Sequence, residues 1–369
     1  MTSNIPNNYY VSISGDDSNP GTLDLPFRTI QHATSIVEAG DTVHIRGGTY
    51  REKISIENLH GTKDNPITFK NYNDEEVVVS GAKVIDTPWE IHEGNIWKTT
   101  VDYDISQLFL DDKMLTGARW PNIEKDYDQP DADYWSTWAY CTKIDDGSYQ
   151  DEGGLSELGF SVEGSVIVRR GVGATEITSH VAGETDFQTD PDAQSVTHSG
   201  LFSGGYYHLE GDLDLLDSPR EWYFNQETAN LYVYLDDNHD PNSLLIEGRT
   251  HDKDRAINKK DRGLKIDNSS YLFIEGIDFF AAPFGLYSSD FLIFDSCKFL
   301  YPSHNGFMLK VNGVNYGNES ISSKNLTFKN NEFANSYGRL FLGDRWETRY
   351  VLFENNHFHN SNIRIWGNN

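Results

Sequence analysis

Four segments decide the fold: Phe273-Ile-Glu-Gly-Ile-Asp-Phe279, Phe294-Asp-Ser-Cys-Lys-Phe299, Phe328-Lys-Asn-Asn-Glu-Phe333 and Phe353-Glu-Asn-Asn-His-Phe358. Their closing phenylalanines stand 20, 34 and 25 residues apart. A repeat of 20–25 residues with one longer excursion is the mark of a solenoid. Each motif accompanies a second apolar run: Gly263-Leu-Lys-Ile266, Phe284-Gly-Leu-Tyr287, Gly306-Phe-Met-Leu309, Gly338-Arg-Leu-Phe-Leu342 and Ile363-Arg-Ile365. Each repeat therefore supplies two or three short strands, and only stacked repeats close a core. Asn330-Asn331 and Asn355-Asn356 suit tight bends, because Asn tolerates left-handed backbone and can hydrogen-bond the next coil. No helical period accompanies the repeat and no leucine-asparagine consensus is present. A parallel β-helix remains.

The same grammar runs through the first 86 residues. Tyr9-Tyr-Val-Ser-Ile-Ser alternates as a strand does, and Thr42-Val-His-Ile-Arg46, Lys53-Ile-Ser-Ile-Glu57, Ile67-Thr-Phe-Lys70 and Val77-Val-Val79 follow between turns. Phe27, Ile30, Ala33, Ile36 and Val37 fall at helical spacing before Gly40. They predict one helix, placed to cap the open end of the coil and cover its strand edges. Residues 87–250 break the repeat and hold six of the eight tryptophans. Gln107-Leu-Phe-Leu110, Ser165-Val-Ile-Val168, Glu221-Trp-Tyr-Phe224 and Leu231-Tyr-Val-Tyr-Leu235 mark this block as β-rich. The expected organisation is an N-terminal cap with the first coils (1–86), an inserted β-rich module (87–250) and later coils (251–369). Ile363–Asn369 reads as the opening strand of another coil, so further coils are expected beyond it.

Composition limits the function. The 369 residues carry 30 basic and 57 acidic side chains, a net charge of −27, which disfavours a nucleic-acid partner. The charge is uneven: residues 101–250 hold 8 basic and 30 acidic groups, whereas residues 301–369 hold 7 and 5. The slightly basic later coils remain open to an acidic polysaccharide. The acidic block reads chiefly as a solvated face. Asp126, Asp128, Asp131 and Asp133 offer calcium-type oxygen ligands within it, without EF-hand spacing. No 18-residue apolar run predicts a membrane span, two cysteines are too few for a disulfide framework, and no leader peptide is visible. Phosphate-loop and dinucleotide motifs are absent, so no organic cofactor is expected.

Tyr10-Val-Ser-Ile-Ser-Gly-Asp-Asp-Ser-Asn-Pro-Gly-Thr, Pro26-Phe-Arg-Thr-Ile-Gln31 and Gly40-Asp-Thr-Val-His-Ile-Arg-Gly-Gly-Thr-Tyr50 resemble the start of secreted right-handed parallel β-helix proteins that act on carbohydrates. Leu108-Phe-Leu-Asp-Asp-Lys-Met-Leu-Thr-Gly-Ala-Arg-Trp-Pro-Asn122 and Arg220-Glu-Trp-Tyr-Phe-Asn-Gln-Glu-Thr-Ala-Asn-Leu-Tyr232 are similar to the inserted module of large β-helix glycoside hydrolases. These motifs are scaffold and imply a fold and an extracellular setting rather than a reaction. A narrower resemblance is to the chondroitinase B and alginate lyase family, through Asn318-Glu-Ser-Ile-Ser-Ser-Lys-Asn325, Gly338-Arg-Leu-Phe-Leu-Gly-Asp-Arg345 and Ile363-Arg-Ile-Trp-Gly367. It implies Glu319 as a calcium ligand, Lys324 as base and Arg345 as acid. Gly317 stands where that family has its first acidic ligand, and alignment on Leu340-Phe-Leu342 puts Gly343 rather than Arg345 at the acid position.

Elimination at a uronic acid needs a neutralised carboxylate, a base and an acid. Arg339, Arg345 and Arg349 can grip sugar carboxylates in bidentate fashion. Hydrolysis needs two carboxyl groups flanking the bond, for which Asp344 with Glu347 are candidates, and Asp290 and Asp295 on the preceding coils could also meet them. His304 is a candidate general base or sugar ligand, and His357 with His359 a two-residue metal pair. Tyr337, Trp346 and Trp366 are candidate stacking platforms. Packing and surface ion pairing are the plainer roles for all of these residues. The expectation is a polysaccharide-cleaving enzyme, hydrolase or lyase, needing no cofactor and with calcium optional. The rival is a non-catalytic glycan-binding or adhesion β-helix. An aromatic strip without a perturbed titratable pair would favour the rival. A sheet face with converging Arg, Lys, Asp or Glu would favour the enzyme.

Overall fold

The computed structural model describes residues 6–123, 137–145, 147–169, 173–190, 204–236, 239–250, 263–302, 307–312, 314–316, 319–321, 323–342 and 349–365; the side chains of 307–321, 336–349 and 361–365 lie outside the description. The chain divides into two compact units, Met1–Lys83 with His251–Asn369, and Val84–Thr250.

The first unit is a stack of parallel strands on three faces. The first face is a seven-stranded sheet of Asn8–Val11, Thr42–Ile45, Ile67–Asn71, Ser270–Glu275, Asp290–Asp295, Lys324–Lys329 and Arg349–Glu354. The second face stacks Gly48–Tyr50, Val77–Ser80, Asp278–Phe280, Lys298–Leu300, the start of Glu332–Leu342 and the start of His357–Ile365. The third stacks Ile54–Glu57, Leu264–Asp267, Phe284–Tyr287, Phe307–Asn312 and the ends of the same two long strands. Strand Ile67–Asn71 pairs directly with Ser270–Glu275, and Val77–Ser80 with Asp278–Phe280. The coils before residue 84 thus continue in register in those after 263.

Inward positions form the core because strand side chains alternate. Phe279, Phe299, Phe333 and Phe358 stack ring on ring, with centroids 5.1, 4.8 and 4.8 Å apart and planes within 9°. Phe294, Phe328 and Phe353 make a second ladder at 5.1 Å per rung. The repeat differs from the sequence alignment at its first copy: Ile274, not Phe273, is the register partner of Phe294, and Phe273 pairs with Ile293 on the outward side. That first copy is one residue longer between its phenylalanines, so matching both ends in sequence shifts its strand by one and inverts its faces.

Corners are built from left-handed residues. Gly276, Ser296, Asn330 and Asn355 turn the chain from the first face to the second with φ of 65°, 55°, 55° and 52°. The neighbouring Asn331 and Asn356 bridge coils: Asn331 Oδ1 accepts from Cys297 N (2.9 Å), and Asn356 Oδ1 accepts from Asn331 N (3.0 Å). Their amides donate to the carbonyls of Phe294 and Phe328. On the opposite corner, the buried hydroxyls of Ser269, Ser289 and Ser323 accept from the backbone N–H of Leu59, Ser269 and Ser289 at 3.1–3.2 Å. These ladders satisfy backbone donors that the strands leave unpaired.

The expected helix is shorter than its periodicity. Only Ile30–Thr34 is helical, capped by the Thr29 side chain, with the N–H groups of Ile30 and Gln31 held by the Glu52 carboxylate at 2.9 Å.

The second unit is antiparallel for the most part. One sheet runs Glu90–Glu93, Ile96–Thr100, Asn230–Tyr234, Glu221–Asn225 and Thr116–Gly117. A seven-stranded sheet runs Arg119–Trp120, Gly204–Glu210, Ala139–Asp145, Ser148–Asp151, Asp186–Thr189, Gly173–His180 and Val166–Arg169, the last pairing also with Gly204–Glu210. Buried charges organise it. Arg119 is buried and donates to the carbonyls of Pro121 (3.0 Å) and Thr137 (2.8 Å). Asp151 is buried and accepts from Tyr207 Oη (2.7 Å), Gly153 N (2.9 Å) and Leu155 N (2.7 Å). The Arg119-Trp-Pro segment thus has a scaffold role. Glu221 is 3% exposed, and among the described residues its Oε2 has no hydrogen-bond partner. Burial, reinforced by Asp217, pushes its carboxyl up to about 8.

Candidate functional site

The outward positions of the coils align into rows, since residues in register sit about 4.8 Å apart. On the third face, Ser55, Lys265 and Gly285 form one row, and Glu57, Asp267 and Tyr287 the next. Lys265 Nζ donates to Glu57 Oε1 at 2.5 Å and lies 3.4 Å from Asp267 Oδ2. Its side chain is only 14% exposed. Burial opposes its charge, but the Glu57 bond and the charges of Glu57 and Asp267 outweigh burial and hold its pKa above the ordinary lysine value. It is a fixed cation between two carboxylates, with Asp267 and Tyr287 of the next row buried beside it and Glu57 half-exposed. Beside it Gly285 leaves room for Tyr287: a Cβ there would lie 2.7 Å from Tyr287 Cε2 and 2.8 Å from its hydroxyl.

The first face carries Lys324. Asp290, Lys324 and Arg349 are register partners on successive coils. Lys324 Nζ is 3.7 Å from Asp290 Oδ2, a loose pair on a half-exposed side chain, and Asn325 Nδ2 donates to Asp290 Oδ1 at 2.7 Å. Further along this face Lys329 pairs with Asp295 at 2.8 Å. Asp295 is thus engaged by a neighbouring cation, and Asp344 and Glu347, the carboxyls that the sequence sets against it, lie outside the described residues.

The second face carries Asp278, Lys298, Glu332 and His357 in one row. Lys298 binds Asp278 at 2.9 Å, and His359 Nε2 approaches Glu332 Oε1 at 2.9 Å. The rings of His357 and His359 stack at 4.5 Å. Among the described residues no group of three or more His, Cys, Asp or Glu is placed to hold a metal ion. His359 faces a carboxylate there.

The other sequence candidates are less fully placed. Arg339 and Tyr337 lie in strand Glu332–Leu342, with Arg339 in register with Asn362. Glu319 opens a short strand paired antiparallel with Val314–Tyr316, outside the coil sheets. Their side chains, like that of Arg349, lie outside the description, and His304, Asp344, Arg345, Trp346, Glu347 and Trp366, with Asp126, Asp128, Asp131 and Asp133, lie outside the described residues. Glu57 and Lys265 were not singled out from sequence. They are 208 positions apart, and the signal available was only that Ile54-Ser-Ile-Glu57 and Leu264-Lys-Ile-Asp267 alternate identically.

Comparison with known proteins agrees with this architecture. Residues 9–107 match the Pel9A-like, right-handed β-helix region. This Pel9A-like region includes strand Ile54–Glu57, and so one of the two carboxylates around Lys265. Over 81 residues the chain is 48% identical to uncharacterized protein YwoF of Bacillus subtilis, covering 22% of this chain and 17% of that protein. Over 83 residues it is 36% identical to pectate lyase PEL9 of Emericella nidulans, covering 22% and 20%. The matches thus span a fifth or less of those relatives' length. A solved structure titled glycoside hydrolase superposes with a TM-score of 0.68 at 15% identity, covering 91% of this chain and 75% of the other. That likeness is one of fold.

Proposed function

We propose that the protein is an extracellular polysaccharide-cleaving enzyme that works on an outer face of a right-handed β-helix. The observation that carries the reading is the convergence of Glu57 and Asp267 on the nearly buried Lys265. A permanent cation flanked by carboxylates can serve both relevant reactions. In elimination Lys265 neutralises a uronate carboxylate, one flanking carboxylate takes the C5 proton, and that proton is handed on to the departing glycosidic oxygen as the C4–O bond breaks and the C4–C5 double bond forms. In hydrolysis Glu57 and Asp267 act as the carboxyl pair. The PEL9 likeness in the first coils supports the same substrate class. In the chondroitinase-like arrangement, Lys324 is the base and Arg345 the acid, with Arg339 and Arg349 gripping sugar carboxylates. The other sequence candidates, Asp344, Glu347, His304, Tyr337, Trp346 and Trp366, belong to that later-coil reading. Calcium through Glu319 is an optional element. Glu319 lies on an excursion with no described ligand partners, so no step is assigned to the metal. Residues 84–250 are taken as a module inserted between coils, and Ile30–Thr34 as the N-terminal cap.

The test is incubation with polygalacturonate, alginate, chondroitin sulfate and xylan. Ultraviolet absorbance of unsaturated ends reports elimination, and reducing ends without that absorbance report hydrolysis. Lys265→Met is expected to cost at least about 100-fold in turnover with the fold retained. Full activity in Lys265→Met together with loss in Lys324→Ala would move the chemistry to the first face. Flat traces on every glycan would refute the enzyme.

A further inference from the structure

A second feature of the first face lies beside Lys324. At the edge where each first-face strand begins, one residue per coil adopts left-handed backbone: Tyr271, Phe291, Asn325 and Tyr350, with φ of 54°, 53°, 51° and 58°. They sit between the register pairs on either side, at equivalent points of four successive coils. Left-handed backbone is costly for an aromatic residue, at about 1–2 kcal/mol. The remaining corners of the later coils use Asn, Ser, Gly and Ala, and their one aromatic among the described residues, Tyr301, is buried. Here three of four are aromatic, and two are open to solvent, Phe291 at 40% and Tyr350 at 75%. Neither folding nor packing asks for an exposed Phe in a strained conformation. Such an outlier points to function.

The spacing says what it binds. Tyr271 and Phe291 stack at 4.5 Å with planes 9° apart, one ring on each of two successive coils. The next rung is Asn325, too small to continue the stack, and the rung after it is Tyr350. Among the described residues Phe291 has no ring partner but Tyr271, and Tyr350 has none. Phe291 and Tyr350 are two coil spacings apart, about 9.6 Å, with one rung missing between them. That gap is the thickness of one further ring. Polar groups border it: Lys324 Nζ and Asp290 Oδ2 on the adjoining row, and Asn325, whose amide is tied to Asp290 at 2.7 Å.

We infer that this gap is a sugar-binding slot, in which one pyranose unit of a polysaccharide lies between the Phe291 and Tyr350 rings while its hydroxyl or carboxylate edge meets Lys324 and Asp290. A pyranose has apolar C–H faces and a polar rim, which is the chemistry of two aromatic faces beside an ammonium and a carboxylate. The slot rests on the carbohydrate reading and adds to it a fixed anchoring subsite away from the Lys265 cluster on the chain's own coils.

The test is isothermal titration calorimetry with tetragalacturonate, xylotetraose and cellotetraose on the wild type and three variants. Phe291→Ala and Tyr350→Ala each remove one wall and are expected to weaken binding about tenfold. Asn325→Phe fills the missing rung; it is expected to abolish binding at the slot while the new ring contacts offset the strain of an aromatic residue in left-handed backbone, so that the thermal midpoint stays close to that of the wild type. A truncation defect cannot mimic that combination. If the wild type binds an oligosaccharide and all three folded variants bind it equally, the slot is refuted and the polysaccharide reading stands. If the wild type neither binds nor cleaves any glycan, the polysaccharide reading falls and the slot with it.

Discussion

Phe299→Ala should be the most damaging core truncation in the coils. Phe299 is fully buried and touches four rings: Phe279 at 5.1 Å, Phe333 at 4.8 Å, Phe284 at 4.4 Å and Phe294 at 6.0 Å. Truncating a buried Phe costs about 3–5 kcal/mol in lost transfer energy and cavity. That range already contains the two parallel ladder contacts, worth about 0.5–1.5 kcal/mol each. Stacked coils cannot collapse around the hole without breaking register on both sides, so the cost should lie near the top, at about 5 kcal/mol. Phe358→Ala, at the end of the ladder and only partly buried, should cost about half. Six of the eight tryptophans lie in residues 84–250, so their fluorescence reports chiefly the second unit. The coils are better followed by far-ultraviolet circular dichroism in urea, with hydrogen exchange of the coil amides. A loss below about 1 kcal/mol for Phe299→Ala, or equal losses at both positions, would refute the reasoning that the ladder carries the core.

Glu221 should give the second unit a pH dependence. Its folded value, about 8, lies above its ordinary 4.5, so the native state holds the proton more tightly. The contribution is fullest below pH 4.5 and is lost as pH rises toward 8, by on the order of 4 kcal/mol. Glu221→Gln should flatten that decline and be the more stable protein at pH 8, read by tryptophan fluorescence in urea; parallel pH profiles would refute it. Asn331→Ala strips the bridge between Cys297 N and Phe294 O and should cost about 3 kcal/mol, with Asn331→Asp recovering part of the loss through its retained acceptor. Gly285→Ala drives a Cβ into Tyr287 and should cost about 1–3 kcal/mol while lowering glycan turnover more than Ser55→Ala does. Equal turnover in the two would detach Tyr287 from the site.

Much of the coil was legible because its signals are local and repeat. Phe299, Phe333 and Phe358 announce a ladder by spacing, and Asn330 and Asn355 announce left-handed corners by residue type. The strand at Phe273 was set one residue out because its copy is one residue longer, and a period-two pattern punishes that shift by turning the strand over. The helix was read too long because Ile36 and Val37 extend the apolar spacing past the turn that follows Thr34. The Lys265 cluster was illegible for a different reason. Its members become neighbours only when the coil resumes after residues 84–250, and no short-range pattern encodes that return. The aromatic slot was hidden likewise, since Tyr271, Phe291, Asn325 and Tyr350 share a rung position but no motif.

The direct pairing of Ile67–Asn71 with Ser270–Glu275 has a consequence for biosynthesis. When the first coils leave the ribosome, their exposed edge has no rung to accept it. About 200 residues must be made first, which at about 5–20 residues per second takes roughly 10–40 s. Throughout that interval an open parallel edge ending in Ile67, Phe69, Val77 and Val79 waits in the nascent chain. Growth on the far side of residues 84–250 is templated, each strand finding a finished neighbour. Production of the intact protein should therefore be most sensitive to translation speed and chaperone supply across residues 84–250, and substitutions there that slow synthesis should lower yield while leaving the purified protein as stable as before.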